Sequence, residues 1–593
     1  MDMQSDIRTG TDDFSKLLLN STVFVDKSLF IKEFLLSSGE VLLITRPRRW
    51  GKSLNMNMLS RFLAIEVDKD GKPIPQEQSL NRKLFLGGEV TIGDDEKKQL
   101  SSLKIAAEEK IVKRYLGKFP VITLGLKDVK GDSYDKTLKK LKKALAELFG
   151  KHAYLLSTNT MLKYEQDLFD EYLQAKSDEV NTQDSLYFLS KLLRRYFKKP
   201  VYILVDEYDT PINNAYLKFK SKNPDTFDRI VELFRDLLGK ALKGNENLQR
   251  GLVTGILRLA KANIFSDWNN VSEYTLLDKR FATAYGFTQA EVDVLLDIVP
   301  ISTTREQIRH WYNGYNFGGA TIYNPWSIMS CLSNEGTLDH YWIDSGGDAL
   351  VDAILLNDRV QENLQRLTRG EKLRRIVKKK IVFNTLDKPD SIYDLLLFSG
   401  YLNPEVVDSV YRIYHLSVPN YEVQYIYQER ILAWVEAKLR VSSEEYLDLS
   451  QMLVEGDTAA FRDALQGFLN QATSFYQVGS KMAEIFYSGF MSCLLSTLHT
   501  SYRMETEYES GTGRADVILI PKPTSTQQAL VLEYKVCEDP KQLLPTAQAG
   551  LNQVLSKDYA AKVRLHEHVQ KVLAVSLAFC GKKVALEASA ASV

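Results

Sequence analysis

EVLLITRPRRWGKSL, residues 40–54, is the stretch that decides the fold. Its first part, Glu40–Thr45, holds a short continuous apolar run, which is typical of a strand buried within a parallel sheet. An arginine-rich loop follows, and from Leu54 to Ala64 the apolar residues recur with helical periodicity. In this order of strand, loop and helix, the N–H groups at the start of the helix favour an anionic ligand such as a phosphate.

The loop approaches the phosphate-binding (P-loop) pattern GxxxxGK[ST]. Gly51-Lys52-Ser53 fits the end of that pattern, whereas Arg46 stands where the first glycine is expected. Lys52 would neutralise the β- and γ-phosphates of ATP, and the hydroxyl of Ser53 would bind Mg²⁺. The loop arginines would add charge to the site or contact a partner. We therefore expect a nucleotide site made by five consecutive residues: Arg49, Trp50, Gly51, Lys52 and Ser53.

A second apolar run ends in two acidic residues. Val201–Val205 reads VYILV, and Asp206 and Glu207 follow it. On its own, such a strand end is commonly only the start of a solvated loop, but a phosphate loop elsewhere in the chain gives the two carboxylates a role. We expect Asp206 to hold Mg²⁺ through water and Glu207 to polarise the attacking water.

Two more apolar runs, Phe119–Leu126 and Leu252–Leu257, predict strands of the same sheet. Helical patterns separate these strands, so the predicted fold class is α/β, with a parallel P-loop NTPase sheet covered on both faces. On the last strand, Thr254 could sense the γ-phosphate. Arg258 could approach the same phosphate, and the alternative is that it only pairs with a nearby acid.

Near the C-terminus, two predicted strands carry a second set of charged residues. Asp516–Ile520 and Leu530–Lys535 are joined by a short loop, which would place Asp516 beside Glu533. Strand alternation puts Glu533 and Lys535 on one face. Adjacent carboxylates repel each other, which favours a divalent cation between them, and Lys535 would orient or deprotonate a metal-bound water. The alternative is a surface ion pair, because Glu-x-Lys is a common sequence.

The composition of the 593-residue chain excludes several classes of protein. Its 76 basic residues are balanced by 76 acidic ones, which excludes nucleic-acid binding through bulk positive charge but not a local basic groove. No apolar run reaches the roughly 18 residues of a membrane span, and the polar start MDMQSDIRTG is no secretory signal. The four cysteines are scattered without a CxxC pair, so we expect reduced thiols in a cytoplasmic protein.

Six segments of the N-terminal part resemble a bacterial family of AAA-ATPase-like proteins, which are themselves similar to STAND-type and archaeal ATPases. These segments are VDKSLFIKEFL, LLITRPRRWGKSLNMNML, ILVDEYDTPI, TGILRLAKANIFSDWNN, WYNGYNFG and IYNPWSI. The resemblance covers about residues 10–330. It implies that Arg46 is a family trait, that Phe is usual where Trp50 stands, and that Asp26-Lys27 lies near the nucleotide.

The resemblance also implies a helical or winged-helix lid after the ATPase core. Within this part, Trp311, Tyr312, Tyr315 and Phe317 could stack on nucleic-acid bases. Aromatic residues around Asn-Gly turns more often form the core of a small domain, and that is the expectation here.

The segments GRADVILIP, LVLEYKV and AQAGLNQVLSKDYA resemble the PD-(D/E)xK nuclease superfamily over about residues 470–593. This resemblance implies a restriction-endonuclease-like α/β domain and a Mg²⁺-dependent nuclease in which Asp516, Glu533 and Lys535 are catalytic. It also implies three supporting residues: Glu484, Gln553 and Tyr559. Family members often have Tyr-His after the acid of the first helix, whereas this chain has Tyr487-Ser488, so the help of a histidine is absent.

Together these features predict three domains: an ATPase-like domain at 1–270, a lid at 271–440 and a nuclease-like domain at 441–593 with its core at 470–582. The small-residue tail ALEASAASV is expected to be frayed. The predicted function is ATP binding and hydrolysis coupled to Mg²⁺-dependent cleavage of phosphodiester bonds in DNA. The alternative is a nucleotide-dependent switch whose nuclease-like domain only binds nucleic acid or a protein partner. No membrane association is expected, and a homo-oligomer is compatible with the sequence.

Overall fold

The structure, a computed structural model, divides the chain into two units. One unit comprises Met1–Val351 and Arg374–Val423, and the other comprises Asp352–Leu373 and Gln424–Val593. Most of the predicted lid region shares the first unit with the predicted ATPase core. The division into three domains, with boundaries after residues 270 and 440, stays a prediction. The described residues are 7–92, 96–158, 160–257, 268–344, 351, 355, 360–368, 370–379, 389–439, 443–471, 487, 491, 494, 495, 498, 501–510, 513–523, 528–556, 563 and 566–592.

The secondary structure of these residues alternates strands with helices in the first half of the chain. The strands are β1 (Val41–Thr45), β2 (Gly88–Ile92), β3 (Glu96–Leu100), β4 (Val121–Gly125), β5 (Val201–Asp206), β6 (Leu248–Gly255), β7 (Val271–Tyr274), β8 (Tyr315–Phe317), β9 (Ala320–Ile322), β10 (Leu373–Ile376), β11 (Asn403–Asp408), β12 (Ile413–Ser417), β13 (Tyr502–Ser510), β14 (Gly513–Pro521), β15 (Gln528–Val536), β16 (Lys571–Cys580) and β17 (Lys583–Ser592). The helices are α1 (Phe14–Asn20), α2 (Leu29–Leu35), α3 (Lys52–Leu63), α4 (Leu80–Leu86), α5 (Glu109–Tyr115), α6 (Tyr134–Gly150), α7 (Lys163–Leu173), α8 (Glu179–Phe197), α9 (Thr210–Phe219), α10 (Pro224–Leu242), α11 (Gln289–Ile298), α12 (Arg305–Tyr312), α13 (Pro325–Ser333), α14 (Tyr341–Asp344), α15 (Gln361–Thr368), α16 (Pro389–Phe398), α17 (Tyr421–Leu439), α18 (Ser443–Glu455), α19 (Thr458–Gln471) and α20 (Leu543–Ser556).

A five-stranded parallel sheet is the centre of the first unit. Its strand order is β4-β5-β6-β1-β7, and every neighbouring pair is parallel. The predicted α/β class and the four predicted strands are confirmed. Because β1 lies beside β6 and β6 beside β5, the loop after β1 and the carboxyl ends of β5 and β6 meet at one edge of the sheet. In open α/β sheets that edge is where ligands bind.

Buried apolar side chains surround β1, which is an interior strand between β6 and β7. All five residues of β1 are buried. Leu42 and Ile44 belong to a core cluster with Phe30 of α2 and with Leu59 and Phe62 of α3. Burying an apolar side chain of this size contributes about 1.5–3 kcal/mol, so the cluster fixes α3, and with it the loop that precedes α3, on the sheet.

The region that follows this sheet contains strands as well as the helices that the resemblance implies. Besides α11 to α13, it contains the short hairpin β8–β9 and a three-stranded sheet of order β10-β12-β11. Gly318-Gly319 forms the hairpin turn. Both glycines have positive φ angles, and a side chain at Gly318 would meet the carbonyl oxygen of Asp278 at 2.4 Å.

A second five-stranded sheet, of order β13-β14-β15-β16-β17, is the centre of the second unit. The pair β15–β16 is parallel and the other three pairs are antiparallel. Helix α20 lies between β15 and β16 in the sequence and packs on one face of the sheet, where Leu551 and Val554 join Val531 and Ala574 in a core cluster.

The prediction of a frayed C-terminal tail is wrong. Residues 583–592 form β17, which pairs with β16 along its whole length from Cys580–Lys583 to Lys571–Ser592. Small residues suffice there because the backbone ladder of β16 supplies the hydrogen bonds, and Val584 and Ala585 are buried. Among the described residues, no helix has the length and apolar character that crossing a membrane requires.

Candidate functional site

The loop between β1 and α3 adopts two left-handed backbone conformations. Arg49 has a φ of 65° and Gly51 a φ of 76°, and α3 begins immediately afterwards at Lys52. A left-handed conformation costs a residue other than glycine about 1–2 kcal/mol. The loop is therefore held in this shape by its surroundings, and it presents the first turn of α3, including the half-buried Ser53, at the carboxyl edge of the sheet.

Lys52 is buried beneath this loop. Its Nζ donates hydrogen bonds to the carbonyl oxygens of Arg46 at 3.1 Å and Pro47 at 2.7 Å. Burial lowers the pKa of Lys52, and the nearby carboxylates of Asp206 and Glu207 oppose that shift. A buried ammonium group that bonds only carbonyl oxygens of its own loop, among the described residues, is suited to an anionic ligand such as a phosphate.

Asp206 ends β5, and Thr254 lies on the neighbouring strand β6. The Thr254 hydroxyl donates a hydrogen bond to Oδ1 of Asp206, which also accepts one from the backbone N–H of Glu207 at 3.0 Å. Glu207 has a φ of 53°, and its Oε2 accepts a hydrogen bond from Thr210 at 3.2 Å. The structure thus brings Lys52, Asp206, Glu207 and Thr254 to the same edge of the sheet.

Asp209 is a buried carboxylate that the sequence prediction missed. Its Oδ2 accepts hydrogen bonds from the backbone N–H groups of Ile256 and Leu257, both at 2.9 Å, and burial raises its pKa to about 6. A methyl group at Gly255 would lie 2.5 Å from Oδ1 of Asp209. Asp209 therefore fixes the backbone that follows β6. The sequence Asp-Thr-Pro indicates the helix start that Asp209 precedes, but it does not indicate these donors on β6.

Arg46 stands in place of the first glycine of the motif. Its side chain points away from the predicted phosphate site of Lys52 and Ser53, which is called the phosphate cradle below. Arg46 is fully buried and donates hydrogen bonds to the carbonyl oxygens of Thr45 at 2.8 Å and Phe281 at 3.1 Å. Its guanidinium group lies 5.4 Å from the ring centres of Tyr285 and Phe317. Burial lowers its pKa to about 10. Arg46 thus holds the loop against the following region and adds no charge to the phosphate cradle.

The next loop residues also contact that region. The ring of Trp50 packs against Tyr315 and Phe317 of the β8–β9 hairpin, with centroids 4.8 and 4.6 Å apart. The Arg49 guanidinium lies 4.0 Å from the ring centre of Trp326. The expectation that Tyr315 and Phe317 belong to a core is confirmed, since both are buried.

Asp26-Lys27, which the resemblance places near the nucleotide, has structural partners. The Asp26 carboxylate accepts hydrogen bonds from the backbone N–H groups of Ser28 at 2.8 Å and Lys104 at 2.6 Å. Lys27 forms an ion pair with Glu291 at 2.6 Å. The ion pair joins the N-terminal segment to α11.

The second set of predicted residues lies on β14, β15 and α20. The antiparallel register pairs Val517 with Leu532, and its continuation by one step would place Asp516 opposite Glu533. Glu533 is buried, and its Oε1 accepts hydrogen bonds from Lys535 Nζ at 2.6 Å and Gln553 Nε2 at 2.7 Å. The side chain of Lys535 remains 35% exposed, so its ammonium group is accessible to a ligand.

The other oxygen of Glu533, Oε2, is buried and has no hydrogen-bond partner among the described residues. An unpaired buried carboxylate oxygen is unfavourable unless a cation or a water molecule binds it. The residues present therefore fit a divalent cation, with Glu533 as a ligand and the register position of Asp516 beside it.

Two family models match this chain. Residues 8–76 and 89–265 match the family described as a predicted AAA-ATPase, and residues 482–589 match the PD-(D/E)XK nuclease superfamily. Both resemblances predicted from the sequence are confirmed. The chain is also similar to a protein of Azotobacter chroococcum mcd 1 described as an uncharacterized protein in the vnfD 5′ region, with 23% identity over 552 residues that cover 91% of this chain and 90% of that protein.

The match to the AAA-ATPase-like family includes Lys52, Asp206 and Thr254, and the match to the nuclease superfamily includes Glu533 and Lys535. Some predicted positions lie outside the described residues: Arg258, Glu484, Tyr559 and the side chain of Asp516.

Proposed function

We propose that this protein binds and hydrolyses ATP in its first unit and uses Mg²⁺ to cleave phosphodiester bonds of DNA in its second unit. The observation that carries the nuclease assignment is the buried carboxylate of Glu533, which has one oxygen held by Lys535 and Gln553 and the other without a partner among the described residues. A surface ion pair would not leave one carboxylate oxygen buried without a hydrogen-bond partner.

In the nucleotide site, Lys52 would transfer its hydrogen bonds from the carbonyl oxygens of its own loop to the phosphate oxygens of ATP. Ser53 and Asp206 would hold the Mg²⁺ that accompanies ATP, with Thr254 orienting the carboxylate of Asp206. Glu207, directly after Asp206, would accept a hydrogen bond from the attacking water and so orient it toward the γ-phosphate.

In the nuclease site, Asp516 and Glu533 would hold the cation. When bound, Mg²⁺ supplies Lewis acidity and lowers the pKa of a water molecule. Gln553 keeps Oε1 of Glu533 in place, so that Oε2 remains directed to the cation. Lys535 Nζ lies 2.6 Å from Oε1 and is partly exposed, so it can donate a hydrogen bond to a phosphate oxygen of the substrate and offset its negative charge.

ATP binding would also change the region that follows the sheet. Four positions of the loop contact it: Arg46 through Phe281, Arg48 through a hydrogen bond from Trp342 Nε1 at 3.2 Å, Arg49 through Trp326 and Trp50 through Tyr315. A loop that must adjust to a phosphate cannot do so without affecting these contacts. By linkage, any coupling between loop and lid acts in both directions.

The test is cleavage of plasmid and single-stranded DNA with Mg²⁺, with and without ATP. We expect cleavage by the wild type and none by the Asp516→Ala/Lys535→Ala double variant. Lys541→Ala, which removes an exposed lysine nearby in sequence, is the matched control and should cut normally. Equal cutting by the wild type and the double variant would remove the nuclease assignment.

The nucleotide site is tested separately by equilibrium binding of a fluorescent ATP analogue. Lys52→Ala should abolish binding, whereas Lys69→Ala, at an exposed lysine, should not change it. Unchanged binding by Lys52→Ala would refute the phosphate cradle. If the wild type binds ATP and DNA but never cuts DNA in the presence of Mg²⁺, the alternative of a nucleotide-dependent switch takes the place of the nuclease.

A further inference from the structure

Ser576 of β16 stands beside Glu533 of β15 in the parallel register. Registered residues of neighbouring strands point to the same face of a sheet, and here that face is covered by α20, since Gln553 of α20 bonds Glu533. Ser576 is fully buried, and its Oγ has no hydrogen-bond partner among the described residues. A buried hydroxyl in an otherwise apolar strand is unfavourable unless it has a partner.

A glycine of α20 faces Ser576. A methyl group added at Gly550 of α20 would lie 2.2 Å from Oγ of Ser576 and 3.5 Å from Cγ of Lys535. Helix α20 therefore approaches the sheet closely at the point where Glu533, Lys535 and Ser576 meet. A glycine inside a helix costs about 1 kcal/mol relative to alanine, so the close approach needs a compensating reason.

Two buried oxygens in this position lack partners among the described residues: Oε2 of Glu533 and Oγ of Ser576. They belong to registered residues on one face, yet they do not bond each other. A water molecule that bridges both oxygens would satisfy them together, and buried waters commonly make about three such hydrogen bonds. Its remaining bond would be to a cation held by Glu533.

We propose that Ser576 is a positioning residue of the nuclease site, which holds a water molecule bound to the divalent cation. This inference rests on the proposed function of the same site. Ser576 donates its hydroxyl hydrogen to the water, or accepts from it, and so keeps Oε2 of Glu533 directed to the cation. Partners of this kind, one bond away from a metal ligand, typically affect metal affinity by 10–100-fold.

The probe is Mn²⁺ binding to the full-length protein, measured by titration calorimetry in the absence of DNA and ATP. Ser576→Ala is expected to weaken Mn²⁺ binding about 10-fold. The same variant is expected to leave the melting temperature of the metal-free protein unchanged or raised, because it removes an unpaired buried hydroxyl. Ser589→Ala, at a half-buried serine of β17, is the matched control and should bind Mn²⁺ as the wild type does.

A second variant tests whether Ser576 acts in cation binding or only in packing. Gly550→Ala should weaken Mn²⁺ binding in the wild type, because its methyl group displaces Oγ of Ser576, and should have a smaller effect in the Ser576→Ala background. Equal Mn²⁺ affinity of the wild type and Ser576→Ala would overturn this inference and leave the nuclease proposal intact. Absence of any Mn²⁺ binding that depends on Glu533, tested with Glu533→Gln, would overturn both.

Discussion

The hydroxyl of Thr254 donates a hydrogen bond to the carboxylate of Asp206, across two neighbouring parallel strands. Thr254 is fully buried on β6 and Asp206 is the last residue of β5. The bond fixes one oxygen of Asp206, which also accepts the N–H of Glu207, and leaves the other oxygen available for a cation. The polar residue on β6 therefore acts on the acidic residue of β5, which is a more specific role than the predicted sensing of a phosphate.

Replacement of Thr254 by valine should slow ATP turnover about 10–100-fold, because valine keeps the shape but removes the donor to Asp206. Thr254→Ser, which retains the hydroxyl, should keep most of the activity. Steady-state phosphate release as a function of Mg²⁺ concentration measures both effects. If Thr254→Val hydrolyses ATP with wild-type rate and Mg²⁺ dependence, the bond to Asp206 has no part in turnover.

Most of the sheet and of the candidate sites could be predicted because they depend on local sequence. The run VYILV is long enough to be a buried strand and too short to be a helix, and the residues after it can only lie at the sheet edge. Arg46 could not be interpreted in this way, because its partners Phe281 and Tyr285 are more than 200 positions away in the sequence. The local pattern gives the position of Arg46 in the loop but not the direction in which its side chain points.

The same limit applies to the second unit. The motif indicates Glu533 and Lys535, but the pairing of Glu533 with Ser576 depends on the register of β15 and β16, which no local pattern specifies. The prediction of a frayed tail is wrong for a related reason. Small residues have little tendency to form an isolated strand, and β17 exists because β16 offers it a complete backbone ladder.

Trp342→Phe should weaken ATP binding by about 2–10-fold. The indole N–H of Trp342 donates to the carbonyl oxygen of Arg48, and phenylalanine can keep the packing against Tyr401 but not this bond, whose net contribution is about 0.5–1.5 kcal/mol. Titration with a fluorescent ATP analogue gives the dissociation constant. Trp311→Phe is the control, since Trp311 packs against Tyr421. Equal affinities of the two variants would show that the contact does not couple loop and lid.

Asp209→Asn should change how thermal stability depends on pH. Burial raises the pKa of Asp209 to about 6, above the ordinary value of 3.8, so the folded protein holds this proton more tightly than the unfolded chain does. The stability that protonation contributes is present below about pH 4 and is lost as the pH rises through 6, a change on the order of 3 kcal/mol. Asparagine cannot ionise, and its side-chain oxygen can still accept from Ile256 and Leu257.

The melting temperature of Asp209→Asn relative to the wild type should therefore rise between pH 4 and pH 7. Scanning calorimetry of both proteins across that range measures the difference. The exposed Asp225 provides the control, because Asp225→Asn should show a difference that varies little with pH. A pH-independent difference for Asp209→Asn would mean that Asp209 ionises in the folded protein as it does in the unfolded chain.

Gln553→Leu should affect both the stability and the cation affinity of the second unit. Gln553 donates to Oε1 of the buried Glu533, and a hydrogen bond to a charged group contributes about 1.5–3 kcal/mol, so the metal-free variant should melt at a lower temperature. Its Mn²⁺ affinity should also fall, about 10-fold, because the carboxylate is no longer fixed. Gln548→Leu changes an exposed glutamine of the same helix and should alter neither quantity. Equal melting temperatures and Mn²⁺ affinities for the two variants would mean that Lys535 alone suffices to position Glu533.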